Sequence, residues 1–242
     1  MIKILAVGDL HGDYPAAEEA VNKFCRENYD YLVFMGDYPD SKKFSVKDQL
    51  RTIGCVNDAM RYLPEQVIGL IGNHDHPNYI FDIRCGNRED EHAHDIILAL
   101  SEGDYRVAWE YNDYIFTHAG ITASWEKKRR NELKKVAETS REKTLSGILN
   151  AMYNSPYANC LFDVGEKRGG KEKHGGPIWA DATELYNKPL LNYNQVVGHT
   201  KVASVKRYLH NGDTIFFTNC LTTRGDNTYE SCFLTLELPD GI

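Results

Sequence analysis

Three short apolar segments in the first third of the chain each end in a glycine followed by a polar side chain, and this repeated pattern constrains the fold most. We predict strands at residues 2–8, 31–35 and 66–71. Apolar residues at helical spacing predict helices over Pro15–Asn28 and Val46–Tyr62, between those strands. Strands that alternate with helices indicate βαβ units, so this part of the chain is expected to form a largely parallel sheet.

The pattern changes in the second half of the chain, where short strands are separated by short turns. Residues 105–110 and 114–117 are predicted to form a hairpin. Further strands are predicted at residues 194–198, 214–218 and 232–238. We therefore expect a second, more antiparallel sheet that packs on the first one.

Length and composition indicate a single domain over residues 1–242, because 42% hydrophobic residues suffice for one large core. Two segments stand apart from the strand pattern, a charged helical insertion around residues 124–152 and a Gly/Lys-rich loop at residues 163–176. The insertion contains the run EKKRRNELKK, with six basic and two acidic residues. We expect this run to form a solvated helix face rather than a site for an anionic partner.

Net charge, hydropathy and cysteine spacing exclude several classes of protein. The formal net charge of -7 argues against general nucleic-acid binding. No segment approaches the roughly 18 apolar residues of a membrane span, so no membrane partner is expected. The six cysteines form no CxxC pair, which disfavours a zinc ribbon or a disulfide framework. We therefore expect a reducing compartment, the cytoplasm.

Polar clusters follow each of the first three predicted strands: GDLHGD at residues 8–13, GDYPD at 36–40 and GNHD at 72–75. His118 and His199 end two later strands. Because parallel strands place their carboxyl ends along one sheet edge, we expect these side chains to converge. Gathering so many carboxylates is unfavourable unless a cation compensates their charge. Carboxylate, imidazole and amide ligands suit Mn, Fe or Zn better than Ca.

The ordered set GDLHGD, GDYPD, GNHD, THAG and GHT resembles the calcineurin-like metallophosphoesterases, over residues 8–200. The resemblance is greatest to the branch that contains Ser/Thr protein phosphatases and bacterial diadenosine tetraphosphatases. It implies an α/β fold in which a central β-sandwich of mixed sheets is flanked by helices. It also implies a dimetal site at the carboxyl ends of the strands, with Mn as the most suitable ion in vitro.

The resemblance also implies a role for each matching residue. Asp9 and His11 are expected to hold one metal, Asp37 to bridge both metals, and three residues to hold the second: Asn73, His118 and His199. A hydroxide that bridges the two metals would attack phosphorus directly. His74 would then protonate the leaving alkoxide, and Asp40 would orient His74 and keep it charged.

The expected reaction is hydrolysis of a phosphomonoester, with phosphorylated Ser or Thr of a protein as one candidate. The alternatives are a nucleotide pyrophosphatase or phosphodiesterase, and a non-catalytic metal-binding scaffold. The substrate stays open because Ser41 stands where protein phosphatases carry a phosphate-binding arginine. Lys42 and Arg168 are candidates for that lost contact, together with Ser41 itself. Asp75 replaces the usual glutamate of the third motif, and Lys201 stands where phosphodiesterases carry a histidine.

Overall fold

The first of two sheets carries the N-terminal motifs in the computed structural model, which describes residues 1–221, 223 and 229–240. Its strand order is β3 (Val67–Gly69), β2 (Tyr31–Phe34), β1 (Ile2–Val7) and β9 (Phe233–Leu238). Strands β1, β2 and β3 run parallel, as the alternation with helices predicted. The expectation that residues 232–238 belong to the second sheet is wrong, because β9 pairs antiparallel with β1. The pairing satisfies the backbone hydrogen bonds along the second edge of β1.

The second sheet has the order β4 (Ala108–Tyr111), β5 (Tyr114–Thr117), β6 (Asn194–Val197), β8 (Asp213–Phe217) and β7 (Lys206–His210). Its outer pairs, β4–β5 and β7–β8, are antiparallel, whereas the inner pairs β5–β6 and β6–β8 are parallel. The sheet is therefore evenly mixed, not more antiparallel. Long crossovers precede β6, and such connections allow parallel pairing.

The two sheets pack face to face, and alternate residues of each strand point to opposite sides. Ile4, Ala6 and Val33 meet Phe116 and Val196 in the interior of the sandwich. The other face of the first sheet packs against helices α1 (Tyr14–Arg26) and α2 (Val46–Tyr62). The outer face of the second sheet packs against α7 (Ala182–Asn187). This arrangement is the α/β sandwich of mixed sheets flanked by helices that the sequence resemblance implied.

Four further helices connect the strands in the described part of the chain: α3 (His76–Tyr79), α4 (Ala93–Ser101), α5 (Ala123–Ser140) and α6 (Leu145–Tyr153). The charged stretch at residues 124–152 is thus two helices. Arg141 ends α5 in the left-handed conformation, with a φ of 64°. Thr144 then caps α6 by accepting from the N–H of Gly147 at 3.1 Å. None of the described helices is both long and apolar enough to cross a membrane.

The loop at residues 163–176 folds back on itself and is tied to α5. The N–H of Glu166 donates to the carbonyl of Glu172 at 2.7 Å. Arg129 of α5 forms a two-pronged ion pair with Asp163, at 2.8 and 2.6 Å. Lys128 pairs with Glu172. Part of the basic run therefore anchors this loop, while other members of the run are solvated.

Candidate functional site

The residues that the motifs singled out as ligands converge at one edge of the sandwich, where strands of both sheets end. Asp9, Asp37 and Asn73 follow β1, β2 and β3, whereas His118 and His199 follow β5 and β6. His11 reaches the same place from the turn after β1. Together they form the surface that we call the floor: Asp9, His11, Asp37, Asn73, His118 and His199.

Hydrogen bonds to backbone carbonyls fix which nitrogen of two floor histidines faces the site. His118 Nδ1 lies 2.7 Å from the Met35 carbonyl, and His11 Nδ1 lies 3.0 Å from the Pro39 carbonyl. A carbonyl only accepts, so each Nδ1 carries its proton. In the neutral form of each ring, Nε2 then has a lone pair directed at Asp37 Oδ2, at 3.7 Å from His11 and 3.4 Å from His118. Metal-binding histidines are commonly oriented by such bonds.

Acceptor atoms crowd around His118 Nε2, which makes the floor fit a cation. Asn73 Oδ1 lies at 3.1 Å, His199 Nδ1 at 3.2 Å and Asp37 Oδ2 at 3.4 Å. Nε2 of His199 is buried without a hydrogen-bond partner. Lone pairs that face one another in a buried place need a positive charge between them. Asp37, His118 and His199 form one group whose ligand atoms are spaced to hold a metal ion, and His11, Asp37 and His74 form another.

The pKa shifts of the floor residues also indicate that a positive charge is stabilised there. Burial alone would raise the pKa of Asp37, but His118 and the other neighbouring histidines hold it well below its usual range. Burial opposes the charged form of His118, yet Asp37 raises the pKa of His118 to about 9. Burial, together with the charge of His118, keeps the pKa of His199 well below its usual range. A proton on His118 thus compensates the carboxylates that a cation would otherwise neutralise.

The backbone of the floor is strained. His11, Asp37 and His199 have φ values of 44°, 58° and 56°, in the left-handed region that favours glycine. Each such residue costs roughly 1–2 kcal/mol, so the surrounding hydrogen bonds must hold it in place. For Asp37 that support comes from Asp75, whose carboxylate accepts from the N–H groups of Asp37 and Tyr38 at 2.8 and 2.9 Å.

The partly buried His74 and the buried Asp40 form a pair beside the floor. His74 Nδ1 lies 2.8 Å from Asp40 Oδ2, and the rings of His74 and His11 are 5.0 Å apart. Burial works against the charge of His74, but the Asp37 charge and the Asp40 hydrogen bond raise its pKa well above the ordinary histidine value. The neighbouring carboxylates therefore favour the protonated form of His74, with Nδ1 occupied by Asp40.

Several residues that support the site were not found from the sequence. Asn219 follows β8 and donates to Asp9 Oδ2 at 2.5 Å and to the His199 carbonyl at 3.0 Å. Asn78 and Tyr79 of α3 both donate to the Asp40 carboxylate. Only Asn219 carried a sequence signal, because it is one more polar residue at the end of a strand.

The floor opens on a cavity of about 780 Å³. His74 and Trp179 line it, and the ring of Trp179 lies 5.8 Å from that of His199. Cationic side chains surround the opening, and we call them the rim: Lys42, Lys43, Arg168 and Lys201. A cavity of this size accommodates a drug-sized or nucleotide-sized ligand.

The three candidate substrate-binding residues from the sequence all line the cavity, but they differ in their hydrogen bonds and in their exposure. Ser41 Oγ is occupied by the turn it caps, accepting from the N–H groups of Lys43 and Phe44 at 3.1 Å each. Lys42 is exposed on the rim. Arg168 is held by Thr200 Oγ1, 2.8 Å from Nη2, and by Asp181 Oδ2, 2.9 Å from Nε. Within the described residues, Arg168 is the single arginine of the cavity wall.

Comparisons with known proteins agree with this geometry. Residues 2–203 match the family model of the calcineurin-like phosphoesterases. A cold-active protein-tyrosine phosphatase of a psychrophilic Shewanella species shares the fold at 16% identity, with a TM-score of 0.58 over 98% of this chain and 76% of that one. A point mutant of a cold-active protein tyrosine phosphatase gives 18% identity and a TM-score of 0.53, over 91% of this chain and 72% of that one. At these identities the likeness concerns the fold alone.

A search of the curated proteins finds no significant match. The family match runs from β1 to beyond β6 and therefore includes every residue of the floor. This chain belongs to the calcineurin-like phosphoesterases, a metal-dependent family of hydrolases that act on phosphoric esters.

Proposed function

We propose that this protein hydrolyses a phosphomonoester, with the floor holding two divalent cations and His74 acting as the acid. The observation that carries the proposal is the position of the charged His74–Asp40 pair at the edge of the floor, inside the same cavity. The pair faces the place where a phosphate held by the floor would lie. Metal binding alone does not require a protonated histidine of this kind, whereas hydrolysis requires a proton donor.

The two proposed cation positions share Asp37. Asp9 and His11 are assigned to one position, and three residues to the other: Asn73, His118 and His199. When bound, two such cations activate a water for attack on phosphorus and stabilise the negative charge of the phosphoryl oxygens. The mixture of imidazole, carboxylate and amide ligands favours Mn, Fe or Zn, and Mn is the proposed ion for reconstitution.

His74 is proposed to give its proton to the leaving oxygen. Because Asp40 occupies Nδ1 at 2.8 Å, Nε2 is the nitrogen left for the substrate. The raised pKa of His74, which the Asp37 and Asp40 carboxylates maintain against burial, keeps the acid form present at neutral pH. A general acid of this kind typically accelerates such a step by about 10²–10⁴-fold.

Arg168 and Lys42 are proposed to bind the phosphate or its neighbouring groups. Thr200 and Asp181 hold the Arg168 guanidinium against the cavity wall, so little side-chain entropy is lost when it binds an anion. Lys42 adds charge without a fixed geometry. Ser41 is a weaker candidate because its hydroxyl accepts two backbone hydrogen bonds of its own turn.

A nucleotide pyrophosphatase or phosphodiesterase is the second candidate, and the rim is the observation that favours it. The cationic side chains of the rim come from both halves of the chain: Lys42 and Lys43 follow β2, Arg168 lies in the loop at residues 163–176, and Lys201 follows β6. A substrate with several phosphates could contact both groups at once. The natural substrate is therefore either a phosphoprotein or a nucleotide.

The test is hydrolysis of p-nitrophenyl phosphate and of bis(p-nitrophenyl) phosphate by protein reconstituted with Mn, Fe or Zn. Faster turnover of the monoester, dependent on added metal, is the expected result. A preference for the bis-ester would transfer the assignment to the second candidate, and absence of turnover with every metal would leave a metal-binding scaffold. A panel of phosphopeptides (Ser, Thr and Tyr), diadenosine tetraphosphate and cyclic nucleotides then identifies the substrate class.

The proposed working compartment is the cytoplasm. All six cysteines are free thiols, including the buried pair Cys220 and Cys232. Free thiols persist in reducing compartments.

A further inference from the structure

We propose that Asn78, Tyr79 and Gly86 are positioning residues that hold the Asp40–His74 pair in the orientation required for proton transfer. This inference rests on the proposed function, because it concerns the acid step of that reaction. None of the three residues lies in a sequence motif that marked the site. They belong to α3 and to the loop that follows it.

The first observation is the way in which the Asp40 carboxylate is surrounded. Oδ2 accepts from Asn78 Nδ2 at 2.5 Å in addition to its bond with His74, and Oδ1 accepts from the Tyr79 hydroxyl. Asp40 is only 3% exposed and has a φ of 65°, so these bonds hold it in a strained conformation. With both oxygens engaged, the carboxylate has one remaining orientation toward His74, which fixes the imidazole ring.

The second observation concerns Cε1 of the imidazole, the carbon next to the Nδ1 that contacts Asp40. A Cβ built on Gly86 would lie 2.1 Å from Cε1 of His74, so the glycine backbone packs directly against the ring. Gly86 also has a φ of 59°, which a residue with a side chain adopts at a cost. The His74 ring thus contacts Asp40 at Nδ1 and the backbone of this loop at the adjacent Cε1.

The loop is itself tied to α3 at several points. Asn78 Oδ1 accepts from the N–H of Cys85 at 3.1 Å, and the Tyr79 hydroxyl accepts from the N–H of Glu89 at 3.0 Å. Arg88 donates to the Asn78 carbonyl. Asn78 and Tyr79 therefore have two roles: they bind the Asp40 carboxylate, and they hold the loop that carries Gly86.

The consequence is a dependence on the leaving group. An ester with a poor leaving group, such as phenyl phosphate, needs a proton on the departing oxygen. An ester with a good one, such as 2,4-dinitrophenyl phosphate, does not. Misplacing His74 should therefore slow the first reaction and spare the second, whereas general damage to the fold or the floor would slow both equally.

The experiment compares kcat of the metal-reconstituted protein on these two esters. Tyr79→Phe, which loses one hydrogen bond to a charged group, should lower kcat on phenyl phosphate by about tenfold. Gly86→Ala, whose new methyl group would displace the His74 ring, should lower it by a similar factor. Both variants should stay within about threefold of the parent on 2,4-dinitrophenyl phosphate. Equal losses on the two esters in both variants would overturn the proposal.

Matched controls separate positioning from stability. Tyr153→Phe removes another half-buried hydroxyl, one that contacts His76 Nδ1 at 2.7 Å, away from Asp40. Gly212→Ala places a side chain on another glycine of positive φ, 98°, with no heavy atom within 4 Å of its Cβ. Both controls should alter the two esters by the same factor.

A second readout does not require turnover. Protein labelled with isotopic histidine should give a slowly exchanging Nδ1–H resonance for His74, identified by its absence in His74→Asn. That resonance should broaden or exchange faster in Tyr79→Phe and Gly86→Ala, and should be unchanged in Tyr153→Phe. If the parent protein hydrolyses neither ester, the proposed function fails and this resonance alone decides the positioning role, which an unchanged signal in both variants would refute.

Discussion

The floor and the rim of the cavity are built in opposite ways. The floor consists of residues that follow strands, and Asp9, Asp37 and His118 are almost completely buried there. The rim consists of side chains on loops, and its three lysines are exposed. The floor is held by backbone hydrogen bonds and a strained backbone, whereas the rim keeps only Arg168 in a fixed position. Under the proposed function, the difference teaches that residues at the strand ends supply the chemistry, while residues on the loops contact the substrate.

If the floor supplies the chemistry, removal of its shared carboxylate should have the largest effect. We expect Asp37→Asn to lower kcat/KM by about 10³-fold or more, since two cations together contribute several kcal/mol. Bound metal, measured by elemental analysis after dialysis, should fall as well. Asp13→Asn is the control, because Asp13 also lines the cavity but caps α1 through the N–H of Ala16. Normal metal content and turnover in Asp37→Asn would show that the floor is not the reaction centre.

Loss of the acid should have the next largest effect and should leave the metals in place. His74→Asn is expected to lower kcat by about 10²-fold with unchanged metal content. Burial lowers the pKa of His74, but Asp37 and Asp40 raise it by more than burial lowers it. The proton of His74 is therefore lost only as pH rises through this raised pKa. The parent enzyme should therefore lose activity on the alkaline side, and this limb should be absent in His74→Asn. A variant with full turnover and an unchanged pH profile would refute the acid role.

The rim should influence substrate binding more than the chemical step. Arg168→Lys keeps the charge but loses the planar guanidinium, so we expect KM to rise by about tenfold with little change in kcat. Arg84→Lys is a suitable control because Arg84 pairs with Asp82 and Asp90 outside the cavity. A large fall in kcat with unchanged KM would mean that Arg168, like the floor, acts in the chemical step. The floor and the rim would then not differ in function as proposed.

The exposed lysines should have the smallest effect. Lys42→Gln combined with Lys43→Gln is expected to raise KM by about two- to threefold at low ionic strength, as is usual for exposed charges. The effect should vanish in high salt because these charges are screened. A larger rise for diadenosine tetraphosphate than for a phosphopeptide would indicate a substrate with several phosphates.

The floor could be predicted because its signals are local in sequence. Asp9, Asp37 and Asn73 each follow a short apolar segment and a glycine, and the parallel arrangement of β1, β2 and β3 then brings them together. The same rule placed His118 and His199 at the ends of β5 and β6. The sandwich was implied by the family resemblance, and the change from alternating strands and helices to short strands indicated a second sheet packed on the first.

The parts that could not be predicted depend on contacts between distant segments. Tyr79 binds Asp40 across 39 residues, and this contact leaves no local pattern. Asn219 binds Asp9 across 210 residues, and its position at the end of a strand does not identify that partner. Strand β7 was missed because its sequence KRYLH is largely polar, as suits an edge strand with exposed side chains. The sheet to which β9 belongs was also misassigned, since a strand pattern specifies neither partner nor direction.

The pairing of β9 with β1 has a consequence for the order of folding during synthesis. Strand β1 is synthesised well before β9, yet it acquires its β9 neighbour only once residue 238 has emerged. At roughly 5–20 residues per second, this delay is on the order of ten seconds or more. For that interval Asp9 also lacks Asn219 for most of the time, so the metal-binding edge is completed late. Newly made chains should therefore capture metal only near the end of folding, after the sheet that surrounds Asp9 has closed.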